Sequence, residues 1–169
     1  LVVAPATALG PDGTLPGHPA QHPSVLSVAA YRTTGEPALT EPVPLPDDES
    51  GFARVDLLAP GDRVLSVGPG GDGHFVSGGD GVAAAFVAGT AALVRSADPD
   101  LAPAQVRERL LTTAYPSPLG ADDPLTGHGR VDPLAAVTGG PGGSATGTVP
   151  GAGFVPDAST RGSVDAVST

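Results

Sequence analysis

An α/β fold, part of a parallel sheet flanked by helices and followed by a disordered tail, is what this sequence predicts. Three observations point to it. Short runs rich in Val, Leu and Ala occur in the first half without polar alternation, as strands covered on both faces do. A segment apolar on every side follows at Val82–Ser96, and an all-round apolar helix is buried in the middle of a protein. An amphipathic segment then stands at Pro103–Ala114, completing a layered arrangement of sheet and helix.

The elements follow in chain order. Strands are expected at Leu1–Ala4, at Val25–Tyr31, and at Val55–Leu58 with its continuation Val64–Val67, each bounded by Gly or Pro. The run Leu1-Val2-Val3-Ala4 reads as a strand already under way, and Leu1 is not Met. A fragment, or an unusual start within a domain, is therefore the expectation. Polar, proline-rich connections lie at Gly10–Pro23 and at Thr33–Gly51, the latter carrying Asp47-Asp48-Glu49. Within the helix Val82–Ser96, Gly89 costs about 1 kcal/mol relative to Ala, which suggests that a neighbouring backbone approaches there. Pro103 suits the first position of the next helix. Val106, Leu110 and Ala114 share one face, Arg107, Glu108 and Arg109 take the solvent side, and Pro116 and Pro118 end it. Gly127–Asp132 makes a tight turn, and Asp132-Pro133 starts a short helix through Val137. From Gly139 to Thr169 the sequence is Gly, Ser, Thr, Ala, Pro and Val without period. It buries too little apolar area to offset ordering entropy, so residues 139–169 are expected to form a flexible tail behind a unit at 1–138.

Composition narrows the function. The 169 residues suffice for one modest domain. The formal charge is −10 and every cation is Arg, scattered along the chain, which excludes nucleic-acid binding by a clustered basic face. Without Cys there is no disulfide, thiolate metal site or cysteine nucleophile. No run nears the roughly 18 apolar residues of a membrane span. No cofactor motif occurs, because the G-x-G patterns lack a strand-to-helix dinucleotide context.

Four motifs together carry a family resemblance. Val55-Asp56-Leu57-Leu58-Ala59-Pro60-Gly61 resembles the V-D-V-A-A-P-G strand and turn of subtilisin-like serine proteases. Ala83-Ala84-Ala85-Phe86-Val87-Ala88-Gly89, with Leu93-Val94, resembles A-A-P-x-V-A-G-x-A-A-L-V, the helix behind the nucleophile. Pro99–Leu110 resembles P-x-L-s-x-x-Q-V-x-x-x-L, and Gly127–Asp132 the closing G-x-G-x-V-D turn. In this order they resemble the C-terminal half of the subtilase domain, and most closely the mycosin-type enzymes of actinobacterial type VII secretion. The resemblance implies part of a subtilisin-like sheet over 1–138, a serine endopeptidase ancestry, and export to the cell envelope.

The resemblance also implies where the catalytic groups should stand. The family's G-T-S-x-A-A-P aligns with Gly79-Asp80-Gly81, so Gly81 occupies the nucleophile position and supplies no hydroxyl. Ala85 replaces the family's Pro. The A-G-N that ends the family's first strand aligns with Pro5-Ala6-Thr7, so Thr7 occupies the position of the oxyanion Asn, a donor type that contributes about 3–4 kcal/mol. The triad Asp and His would precede Leu1. We therefore expect a subtilase homologue without peptidase activity that binds a peptide or serves as a scaffold, with Ala4, Pro5 and Ala6 as a groove wall and a peptide or secretion-system component as partner. The alternative is a portion of an active serine endopeptidase whose Asp and His lie upstream.

Weaker candidates have plainer explanations. Ser77, four residues before Gly81, reads as a solvated loop serine. His18, His22, His74 and His128 adjoin Gly or Pro in expected loops, and their spacing suits no zinc site. Gly70-Gly71-Asp72-Gly73 and Gly78-Gly79-Asp80-Gly81 resemble a calcium-binding glycine repeat but are only two copies at the wrong spacing. Asp47-Asp48-Glu49 and Asp122-Asp123 read as solvated charge, so no metal site is expected.

Overall fold

The computed structural model describes residues 1–7, 19–39, 53–68, 73–120 and 123–140. Seven strands and three helices occur among them. They are β1 (Val2–Pro5), β2 (Val25–Tyr31), β3 (Leu57–Pro60), β4 (Val64–Val67), β5 (His74–Ser77), α1 (Asp80–Ala97), α2 (Pro103–Thr112), β6 (Tyr115–Pro116), β7 (Gly129–Arg130) and α3 (Pro133–Thr138). The main sheet has the order β1-β2-β3-β7-β6. β1, β2, β3 and β7 pair in parallel, and β6 closes the edge antiparallel to β7. The α/β class and the parallel sheet expected from the apolar runs are both present.

One face of the sheet builds the principal core. Leu26, Val28 and Ala30 of β2 and Leu57 and Ala59 of β3 meet Ala83, Ala84, Val87 and Val94 of α1, with Val106 and Leu110 of α2 beyond. Small side chains allow close packing, as a chain with only 4% aromatics requires. The opposite face carries a second cluster of Ala6, Ala29, Val55 and Leu58, backed by Tyr31 and Leu39. At the top of the sheet Gly61 has no room for a side chain. A Cβ there would stand 2.5 Å from the Ala30 Cβ and 2.8 Å from the Gly79 carbonyl oxygen. That close approach lets the Gly79 N–H donate to the Gly61 carbonyl at 2.7 Å, tying the end of β3 to the start of α1.

Several sequence expectations need correction. β4 does not continue β3 within the parallel sheet. It turns away and pairs antiparallel with β5, from Val64↔Ser77 to Val67↔His74, so Ser77 and His74 lie in a strand ladder and not in loops. α1 is buried on one face only. Ala83, Ala84, Val87, Thr90, Ala91 and Val94 are inside, whereas Phe86 is 41% and Leu93 57% exposed. No backbone approaches Gly89, where a Cβ would have no neighbour within 4 Å. Arg107 is only partly exposed and its guanidinium reaches back to Asp56 at 3.4 Å. The expected tail falls almost entirely outside the described residues, as do His18, Asp47-Asp48-Glu49 and Asp122.

Candidate functional site

The positions singled out by family resemblance converge on the N-terminal end of α1, above the carboxyl ends of β1, β2 and β3. Open α/β sheets place their ligand sites at such strand ends. Gly79 forms the N-cap with φ 104°, a left-handed conformation suited to glycine. Its carbonyl accepts the Val82 and Ala83 N–H groups at 3.1 and 3.2 Å and so starts the helix.

Asp80 follows and is buried. One carboxylate oxygen accepts the Ala30 N–H at 2.7 Å. The other accepts the Thr7 N–H at 3.2 Å and the Thr7 hydroxyl. The reason lies in the strand ladder. β1 pairs with β2 as far as Pro5↔Val28, and Ala6 N–H donates to the Val28 carbonyl at 2.8 Å. Past that point Ala30 N–H donates to Asp80 instead of to β1. A carboxylate in the first turn also faces the positive end of the helix macrodipole. The sequence places Asp80 within the aligned Gly79-Asp80-Gly81 and within a glycine pattern, with no role of its own. An acidic residue directly ahead of an apolar helical run is the signal that could have found it.

Thr7, aligned with the oxyanion Asn, thus directs both its N–H and its hydroxyl to Asp80. Gly81, aligned with the nucleophile, is exposed, and a Cβ on it would meet no atom within 4 Å. Of the expected groove wall, Ala4 and Ala6 are each only 3% exposed. Ala4 packs on Ala20 and Val25, and Ala6 on Ala29, Val55 and Leu58. Their side chains belong to the core, which leaves Pro5 as the half-exposed member.

The remaining candidates lie elsewhere. Ser77 sits at the end of β5 opposite Val64. His22 accepts the Ser24 N–H at 3.3 Å and pairs with the Ser24 hydroxyl at 2.8 Å through Nδ1, a local contact that closes an exposed turn. His74 opens β5, and the His128 N–H donates to the Asp56 carbonyl at 2.9 Å. None of these three histidines hydrogen-bonds to the head of α1. Among the described residues no three His, Asp or Glu side chains gather closely enough to share a metal ion.

A second grouping escaped sequence reasoning. On the sheet face opposite α1, the Arg130 guanidinium lies 4.6 Å from the Tyr115 ring centroid and 5.8 Å from that of Tyr31. Burial raises the pKa of the Tyr31 phenol above 10.0, while the neighbouring Arg130 charge pulls the other way.

Comparison with known proteins fits this geometry. The model of the subtilase family of peptidases, Peptidase_S8, matches residues 3–145. Mycosin-1 of Mycolicibacterium smegmatis is 36% identical over 129 residues, covering 69% of this chain and 26% of that protein. The chain thus spans about a quarter of the length of this relative. The crystal structure of MycP1 from the ESX-1 type VII secretion system superposes with a TM-score of 0.57 at 35% identity, over 71% of this chain and 32% of that one. A chain in the structure of an intact ESX-5 inner membrane complex gives a TM-score of 0.53 at 33% identity, over 69% of this chain and 28% of its own. With its parallel sheet, its glycine-capped α1 and a family match over most of its length, the chain belongs to the subtilase family.

Proposed function

We propose that this chain is a proteolytically silent subtilase homologue that binds a peptide or serves as a scaffold, and that its setting is type VII secretion at the cell envelope. The observation that carries the reading is Gly81, exposed in the first turn of α1 with no atom to attack a carbonyl. Acyl transfer needs a hydroxyl or thiol activated by a neighbouring base, and the chain has no Cys. The commitment of Thr7 to Asp80 supports it further, since an oxyanion donor must be free to point at the developing charge. The secretion setting rests on the mycosin relatives and on the ESX-5 inner membrane complex that contains one of the similar chains. Among the described residues no helix is long and apolar enough to cross a membrane.

The test is to treat the full protein with an active-site serine phosphonate and weigh it intact. No adduct is expected under conditions that label an active subtilase completely. Stoichiometric labelling at any serine, Ser77 included, overturns the proposal.

A further inference from the structure

We propose that the cleft beside β6 and β7, on the sheet face opposite α1, is a binding site for a short peptide through a single carboxylate, with Arg130 as its anchor. The cleft is about 370 Å³ and is lined by Pro37, Leu58, Tyr115, Pro118 and Leu119 around Arg130. That volume lies within the range of small-ligand sites.

Three features make Arg130 a receptor for an acid. Its guanidinium lies 4.6 Å from the Tyr115 ring centroid and 5.8 Å from that of Tyr31, and Gly35 leaves room for it where a Cβ would stand only 2.9 Å from Nη1. Two aromatic neighbours lower the ordering cost that a free arginine would meet on binding. Its donors are unspent: among the described residues no carboxylate lies within 4.0 Å of the guanidinium. No side-chain hydrogen bond from it reaches a described protein acceptor either, in contrast to Arg54, which donates to three carbonyls. A planar fork with open donors matches a carboxylate through two parallel hydrogen bonds.

The surroundings select the ligand. Glu36 stands on the cleft wall and the whole chain carries −10, so a dianionic phosphate is repelled more than a monoanionic carboxylate. Proline and leucine side chains offer apolar contact to the residues beside the acid, and an aromatic wall such as Tyr115 suits an extended, proline-containing peptide. The carboxylate can come from an acidic side chain or from a peptide C-terminus. The site shares no residue with the head of α1 and does not depend on whether that head is silent.

The chain contains two Tyr and no Trp, and both tyrosine rings lie beside the Arg130 guanidinium, so tyrosine emission reads the site. The probes are acetyl-Ala-Pro-Leu with a free C-terminus, amidated acetyl-Ala-Pro-Glu-Leu, and the same amidated peptide with Gln for Glu. At least one carboxylate peptide is expected to change the emission saturably, and which one does identifies the source of the acid. The Gln peptide is expected to bind at least about tenfold more weakly. Arg130→Gln should weaken carboxylate binding by at least about tenfold, with Arg130→Lys in between. Gln-peptide binding as tight as that of the acid peptide that responds, no saturable response to either acid up to millimolar peptide, or Arg130→Gln binding within about twofold of the unsubstituted chain each overturns the proposal. Should Arg130→Gln fail to fold, the peptide comparison on the unsubstituted chain decides.

Discussion

At the scale of single residues, Asp80 does more for the head of α1 than the empty position beside it. Its carboxylate satisfies the Ala30 amide, the Thr7 amide and the Thr7 hydroxyl at once, in a setting where water cannot easily replace it. Removing such a partner leaves buried donors unpaired, at about 1–3 kcal/mol for each group left without an acceptor. Asp80→Ala should therefore destabilise the chain by about 2–4 kcal/mol. Asp80→Asn keeps an oxygen for Ala30 but turns an amide NH2 toward the Thr7 donors, and should cost less than Asp80→Ala. Urea denaturation checks both values and their order. An Asp80→Ala change below about 0.5 kcal/mol would show that the carboxylate is dispensable. Gly81 contrasts with this: its open surroundings give a side chain nothing to meet, so its identity matters to chemistry and not to packing.

At the scale of elements, what the sequence made legible follows from how locally each element is determined. β2 runs from Val25 to Tyr31 as expected, because turn residues bracket a run that is apolar except for Ser27. α3 begins after Asp132, whose side chain accepts the Ala135 N–H at 2.9 Å, a cap visible in sequence. β3 instead occupies Leu57–Pro60, two residues later than expected, because register with β2 (Val28↔Leu57) decides which residues pair. β4 keeps its expected bounds, Val64–Val67, but joins a different sheet, since its partner β5 lies beyond a glycine-rich connection and pairing between them leaves no local mark. The β6–β7 edge was missed entirely: two-residue strands have no periodicity, and the meeting of Tyr31, Tyr115 and Arg130 exists only in three dimensions. That meeting has a consequence in pH. Tyr31 has its pKa raised in the folded chain, so its contribution to stability is complete below the unfolded value near 10. The contribution is lost as pH rises through the higher folded value. In a Tyr115→Phe background, ultraviolet titration should show the Tyr31 phenol ionising above its ordinary value. Adding Arg130→Gln should move it further up, because the cation that favours phenolate is gone. A downward move on loss of Arg130 would mean that the charge does not act on Tyr31.

At the scale of the whole molecule, the surface is more apolar than a chain with net charge −10 would suggest. The outer stripe of α1 runs through Phe86, Gly89 and Leu93, and Phe86 and Leu93 are 41% and 57% exposed. Leu134 of α3 is 71% exposed and shares a shallow cleft with Leu93 and Val137. The β4–β5 ribbon adds Leu65, Val67, Phe75 and Val76, each between 44% and 68% exposed. Large exposed apolar patches are uncommon on monomeric soluble proteins and mark places where other matter binds, so these side chains are where a dye for apolar surface should report. All-round apolarity of the α1 sequence told which residues tolerate burial, but not what covers each face, which is why one-sided burial was illegible. The 169-residue chain should therefore enhance the fluorescence of an apolar-surface dye such as ANS while retaining helical circular dichroism. Phe86→Ser with Leu93→Ser should cut that enhancement by at least about half. Neither residue belongs to the core between α1 and the sheet, so the dichroism and the denaturation midpoint should change little. Enhancement that survives the double substitution would place the dye elsewhere, on the β4–β5 ribbon, where Leu65→Ser with Val67→Ser should then remove it. No enhancement in the unsubstituted chain would mean that the α1 stripe is covered in solution.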